Sequence, residues 1–75
     1  MDYKVILTRD AEGNWLASVP ALVGCHTWDT TREGALANAR EAAQGYVDSL
    51  KDAGETPPSD VEILWVEVEK RDQPA

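Results

Sequence analysis

The sequence predicts an α+β domain with the element order β-β-β-α-β, and two observations carry this prediction. Three short runs rich in β-forming residues come before residue 30, and turn-forming residues separate them. A long stretch with apolar residues at three- and four-residue spacing follows, and then a fourth β-rich run. Because a strand–helix–strand crossover joins parallel neighbours, the last strand is expected beside the first. The predicted sheet order is therefore 3-2-1-4, with one helix packed on one face.

The first two strands form a predicted hairpin. Residues 3–8 (YKVILT) alternate between two faces, and residues 15–19 (WLASV) resume the same β character. The polar segment 9–14 between them contains Gly13 and Asn14, which tolerate the positive φ angles that tight turns require.

A Pro and a Gly separate the second strand from the third. Pro20 cannot donate a hydrogen bond to a β ladder, so it ends the second strand or lies at an unpaired edge. After Gly24, residues 25–28 (CHTW) are predicted to form a short third strand, which completes an antiparallel meander.

The predicted helix begins at a capping signal. Thr30 and Glu33 have capping-box spacing, and Asp29 adds negative charge near the positive end of the helix dipole. Gly54 suits the position after the helix, and the prolines that follow at 57 and 58 prevent its continuation. One apolar stripe is expected to face the sheet, and it consists of Leu36, Ala39, Ala43, Tyr46, Val47 and Leu50.

The last predicted strand, residues 61–69, is apolar on both faces. Such a strand is usually buried on both faces, but one helix can cover only one of them. We therefore expect dimerisation, or coverage by a partner, at an oligomer interface formed by Leu64, Val66 and Val68. Residues 70–75 are expected to form a flexible tail of a single domain spanning residues 1–75.

Composition limits the classes of function. A chain of 75 residues with a net charge of −7 and no basic cluster is poorly suited to direct binding of nucleic acid. The same charge would steer association with a basic protein partner, although from charge alone simple solubility is the better explanation. The single cysteine, the lack of a signal peptide and the lack of a membrane-spanning run predict a cytoplasmic protein.

The sequence predicts no catalytic, metal or cofactor site. Acidic residues at 2, 10, 12 and 62 lie at turns or on distant strands, so nothing forces them to converge on metal ions. Cys25 and His26 are adjacent on a strand and must point to opposite faces. We therefore interpret Cys25 as a small buried residue and His26 as a surface residue.

Tryptophans are the strongest candidates for partner binding. Trp15 and Trp28 lie beside turns, where their rings are often only partly buried, and exposed Trp is enriched at binding hot spots. An equally good interpretation is that these rings cap the open face of the sheet. We assign partner binding to Trp15 and Trp28 together with the neighbouring His26 and Asp29, and we expect Trp65 in the core or in a dimer interface.

Several segments together resemble the HicB-like antitoxin family, namely VPALVGCHTW at 19–28, TREGALANAREA at 31–42, Gly54, and the prolines at 57 and 58. The resemblance covers about residues 3–58. This sequence has Asp29-Thr30 where the family usually has Gly-Asp, and Gly34 where it usually has Glu.

The resemblance implies a partial ribonuclease-H-like fold and a non-catalytic antitoxin. Such a protein sequesters and sterically inhibits a small basic HicA-type toxin that cuts messenger RNA. Many members also carry a C-terminal DNA-binding module, which we do not expect here because little sequence follows the last strand. The alternative is a stand-alone oligomeric domain with another ligand or a structural role.

Overall fold

The computed structural model describes residues 2–62 and 64–68, which contain three strands and one helix. The strands are β1 (Ile6–Arg9), β2 (Trp15–Ser18) and β3 (His26–Asp29), and they are followed by α1 (Arg32–Asp52). The predicted α+β class and the order of these four elements are confirmed.

The strands form an antiparallel sheet in which β2 is central. Leu7 of β1 pairs with Ala17 of β2, which in turn pairs with Thr27 of β3. The turn from β1 to β2 is closed by Asp10, whose carboxylate Oδ1 accepts bonds of 2.9 Å from the backbone N–H groups of both Glu12 and Asn14.

The core lies between α1 and the inner face of the sheet, and small side chains dominate it. The helix contributes Ala35, Ala39 and Val47, of which the two alanines are at most 1% exposed. The Thr27 hydroxyl donates to the Ala35 carbonyl at 3.3 Å, which shows how closely the helix approaches β3. The rest of the buried core comes from β2 and the loop after it, through Ala17, Val19, Leu22 and Cys25.

Both helix ends have specific capping bonds. The N-cap is Thr31 rather than the predicted Thr30, and its hydroxyl accepts from Gly34 N–H at 3.0 Å. At the other end, Glu55 N–H donates to the Leu50 carbonyl at 2.8 Å, and Gly54 N–H donates to the Lys51 carbonyl at 3.0 Å. These two bonds are the Schellman pattern, and the φ of +77° at Gly54 allows it.

The predicted fourth strand is wrong for the described part of its range. Residues 61, 62 and 64–68 form no strand, and the sheet has the order β1-β2-β3. The predicted order 3-2-1-4 is therefore not supported, and neither is the ribonuclease-H-like label. A strand that is apolar on both faces needs cover on both faces, and α1 already lies over β2 and β3. Ile63, Glu69 and the predicted tail 70–75 lie outside the described residues.

Candidate protein-binding surface

The sheet has one face that the helix does not cover. Ala17 and Thr27 point toward α1, so the residues that alternate with them point away from it. We call this surface the open face, and it is formed by Ile6, Thr8, Leu16, Ser18, His26 and Trp28.

The open face carries a cluster of exposed apolar side chains. Ile6 is 52% exposed, Leu16 is 39% exposed and Trp28 is 60% exposed. Leu16 and Trp28 are direct cross-strand partners, and Ile6 is diagonal to Leu16 in the register. A contiguous apolar surface of this kind suits a protein–protein contact.

Trp28 presents its ring from a strand whose backbone is well fixed. Its carbonyl accepts a 3.0 Å hydrogen bond from the Asn38 side chain on α1, which ties β3 to the helix. His26 is exposed two residues earlier on the same face and pairs with Ser18. The structure therefore brings these two predicted site residues to one surface.

The other two predicted partner-binding residues lie on the opposite side of the sheet. Trp15 is half-buried against the core, and the Arg9 guanidinium carbon lies 4.9 Å from the centre of its ring. Asp29 pairs with Trp15 in the register. Its carboxylate accepts from the N–H of Thr31 at 3.0 Å and from the Thr31 hydroxyl at 2.9 Å. These bonds lower the pKa of Asp29, with the backbone N–H of Thr31 making the largest contribution.

Cys25 directly precedes β3 and His26 is its first residue, and the two side chains have opposite environments. Cys25 is buried and free, and burial raises the pKa of its thiol. His26 lies on the solvent side. Across residues 2–62 and 64–68, no three His, Cys, Asp or Glu side chains are grouped so that they could hold a metal ion.

Residues 64–68 form a second exposed apolar feature. The predicted interface residues Leu64, Val66 and Val68 are 74%, 80% and 81% exposed, and Trp65 is 94% exposed. A groove between residues 2–5 and α1 is another feature that the strand and helix patterns did not reveal. In the described ranges, no helix has both the length and the apolar character needed to cross a bilayer.

Comparisons with known proteins agree on one family. The model of a family described as the HicB_like antitoxin of bacterial toxin–antitoxin system matches residues 3–73. A UPF0150 protein of Thermoplasma acidophilum is 45% identical over 60 residues, which cover 80% of this chain and 87% of that protein. A UPF0150 protein of Synechocystis is 39% identical over 49 residues, covering 65% of this chain and 62% of the relative.

A solved structure is also similar. It is the crystal structure of the N-terminal domain of the Burkholderia pseudomallei antitoxin HicB, with a TM-score of 0.69 and 31% sequence identity. The match covers 89% of this chain and 74% of that one.

Proposed function

Because this chain belongs to the HicB-like antitoxin family of bacterial toxin–antitoxin systems, we propose that it binds a small basic HicA-type toxin and sterically blocks its cleavage of messenger RNA. The family match over residues 3–73 carries this proposal, because it includes all three strands and the helix. In this proposal residues 1–75 are a single, non-catalytic domain that acts in the cytoplasm, where messenger RNA is translated.

The charge of the chain supports a basic protein partner. Fourteen acidic residues against seven basic ones give the net charge of −7. A field of this sign steers a basic protein toward the surface and repels nucleic acid, so the antitoxin would act on the toxin rather than on RNA.

The open face is the surface that best fits the toxin. Trp28 and His26 are exposed there beside Ile6 and Leu16, and a Trp amid exposed apolar side chains has the character of a binding hot spot. Trp15 and Asp29 would support this contact from the other side of the sheet by fixing the ends of β2 and β3.

The decisive experiment uses the neighbouring reading frame, if it encodes a small basic domain with one prominent His. Expression of that product should arrest growth, and co-expression of this chain should restore growth and yield a complex that co-purifies. Trp28→Ala and Ile6→Ala should weaken binding at least tenfold with little change in melting temperature.

Val23→Ala is the matched control for Ile6→Ala, because Val23 is a β-branched residue that is 85% exposed in the loop after β2. It should leave binding unchanged. If the wild-type chain neither restores growth nor co-purifies, the proposal is wrong.

The second candidate is a stand-alone oligomeric domain with another ligand or a structural role. The exposed apolar side chains of Leu64, Trp65, Val66 and Val68 favour this alternative, because they suit contact with a further chain. Both candidates are non-catalytic, and an RNA-cleavage assay with Mg²⁺ or Mn²⁺ tests that directly. RNA cleavage that co-purifies with the wild-type chain and disappears on mutation of its carboxylates would contradict both.

A further inference from the structure

A groove lies between the segment that leads into β1, residues 2–5, and α1. Its volume is about 460 Å³, and its apolar lining includes Val5, Val19, Ala39 and Val47. Val19, Ala39 and Val47 belong to the buried core, so the floor of the groove is continuous with it. We call this feature the β1 groove.

The strand next to this groove has a free edge. β1 pairs with β2 on one side, and within residues 2–62 and 64–68 no strand pairs with its other side. A free edge presents backbone N–H and C=O groups that can add a further strand.

Residues 64–68 have the character of the missing strand. We call them the arm, and every apolar side chain in it is at least 74% exposed. The chain just before the arm is held beside the start of β1. Lys4 Nζ donates to Asp60 Oδ2 at 2.9 Å and to the Val61 carbonyl at 3.0 Å, and Tyr3 Oη donates to the Pro58 carbonyl at 2.7 Å. Beyond this anchor, residues 64–68 form no strand with β1 of the same copy.

We propose that the arm of one copy occupies the β1 groove of a second copy and pairs with the free edge of its β1, in a reciprocal exchange. Each copy then supplies the strand that the other lacks, which closes a symmetric dimer. This inference concerns self-assembly and does not depend on the identity of a toxin.

The exposed apolar surface of the arm supports a second copy as the occupant. Its apolar side chains, Leu64, Trp65, Val66 and Val68, are 74%, 94%, 80% and 81% exposed, and an apolar surface of this kind suits burial against another chain. An arm that is apolar on both faces also requires more cover than α1 of its own copy supplies.

Charges at the rim of the groove complement those of the arm. Arg40 and Lys51 line the groove together with one acidic residue, Asp2, and neither basic residue takes part in an ion pair within the described part of the chain. Glu67 of the arm and Glu62 just before it are exposed. Pairing of these acidic residues with the basic rim would orient the incoming strand despite the negative net charge of both copies.

The first test measures the mass of the chain in solution by size-exclusion chromatography with light scattering. The wild type should be a dimer at tens of micromolar. Val66→Lys should weaken the dimer at least tenfold, because it places a charge on the arm. Val23→Lys is the matched control, since Val23 is 85% exposed and Val66 is 80% exposed, and it should leave the dimer intact. A monomeric wild type, or a Val66→Lys variant that dimerises as strongly as the wild type, would overturn the proposal.

The second test separates exchange between copies from closure of the arm onto its own chain. One variant carries Arg40→Glu with Lys51→Glu, and the other carries Glu62→Lys with Glu67→Lys. Each alone should dimerise about tenfold or more weakly than the wild type, since like charges meet at both interfaces. A mixture of the two should form heterodimers in native mass spectrometry, because both interfaces then regain opposite charges.

Closure within one chain predicts no preferential heterodimer in that mixture. Pairing of one arm with another arm predicts instead that the Arg40→Glu, Lys51→Glu variant dimerises as strongly as the wild type, because its arm is unchanged. Either result would overturn the exchange. Melting curves of both variants, read by circular dichroism, confirm that the chains are folded when they are mixed.

Discussion

The carboxylate of Asp29 occupies the space that a β-carbon at Gly34 would take. Asp29 Oδ2 accepts from the Thr31 N–H and hydroxyl, and the Thr31 hydroxyl in turn accepts from the Gly34 N–H at 3.0 Å. In a standard capping box, a side chain at position 34 would accept from the N-cap N–H. Here Asp29, reaching from β3, makes that bond instead. The two departures from the HicB-like pattern, at 29 and 34, are therefore parts of one arrangement.

This arrangement predicts opposite effects for two glycines of the same helix. Gly34→Ala should reduce the free energy of unfolding by about 1–3 kcal/mol, because the new methyl group displaces the Asp29 carboxylate and disrupts the N-cap. Gly45→Ala should increase it by about 0.5–1 kcal/mol, because nothing lies within 4 Å of its added β-carbon and Ala is the better helix former. Urea unfolding of the two variants measures both changes in the free energy of unfolding.

A double mutant identifies the cause. In an Asp29→Ala background the carboxylate no longer obstructs a β-carbon at position 34 and only the Thr31 hydroxyl, at 2.8 Å, remains close, so Gly34→Ala should cost clearly less than in the wild type. If Gly34→Ala has the same cost in both backgrounds, the contact between Asp29 and position 34 is not the reason for the glycine.

The stability of the fold should fall at acidic pH. The pKa of Asp29 is lowered chiefly by the Thr31 N–H, and the pKa of Asp60 is lowered chiefly by its hydrogen bond from the Lys4 side chain. A carboxylate with a lowered pKa in the folded state stabilises that state above its unfolded pKa, about 3.9 for Asp. That contribution is lost as the pH falls through the folded value.

Urea midpoints should therefore be steady near neutral pH and decline below about pH 4. Asp29→Asn and Asp60→Asn should each lower the midpoint at pH 7 and flatten the acid decline. An unchanged acid decline in both variants would contradict the assignment.

Trp15 and Trp28 should differ in their effects on stability. Trp15→Ala should cost about 1–3 kcal/mol, because its half-buried ring packs against the core and beneath the Arg9 guanidinium. Trp28→Ala should cost less than about 1 kcal/mol, because its 60% exposed ring has mainly its cross-strand contact with Leu16 to lose. Thermal unfolding of both variants tests the division of the sheet into a core face and an open face. A larger loss for Trp28→Ala would reverse that assignment.

Local sequence patterns were sufficient to predict most of the fold. The spacing from Leu36 to Leu50 and the Gly54 stop signal predicted the helix, and alternation predicted the first three strands. The N-cap was predicted one residue early, since Thr30 and Glu33 have the same spacing as Thr31 and Gly34. Only the contact with Asp29 identifies Thr31 rather than Thr30 as the N-cap, and that contact depends on the position of β3.

The candidate site was predictable only in part. Trp15 and Trp28 lie on opposite faces of the sheet because of the register between β2 and β3. A shift of one residue in that register would move the ring on the shifted strand to the other face. Alternation in residues 61–69 predicted a strand, but a pattern in one chain does not specify whether the pairing strand belongs to the same copy. The groove between residues 2–5 and α1 depends on tertiary packing, so no sequence motif predicts it.

Cys25 should behave as a protected thiol. It is 6% exposed, and burial raises its pKa, so both access and thiolate formation are disfavoured in the folded state. Labelling with a thiol reagent at pH 8 should be slow in buffer and should accelerate at least a hundredfold in denaturing urea. Cys25→Ser should cost about 1–3 kcal/mol because it buries a hydroxyl, whereas Cys25→Ala should cost less. Labelling of the native protein at the rate of the unfolded chain would show that the loop from Val19 to Cys25 opens readily and that Cys25 is not part of a closed core.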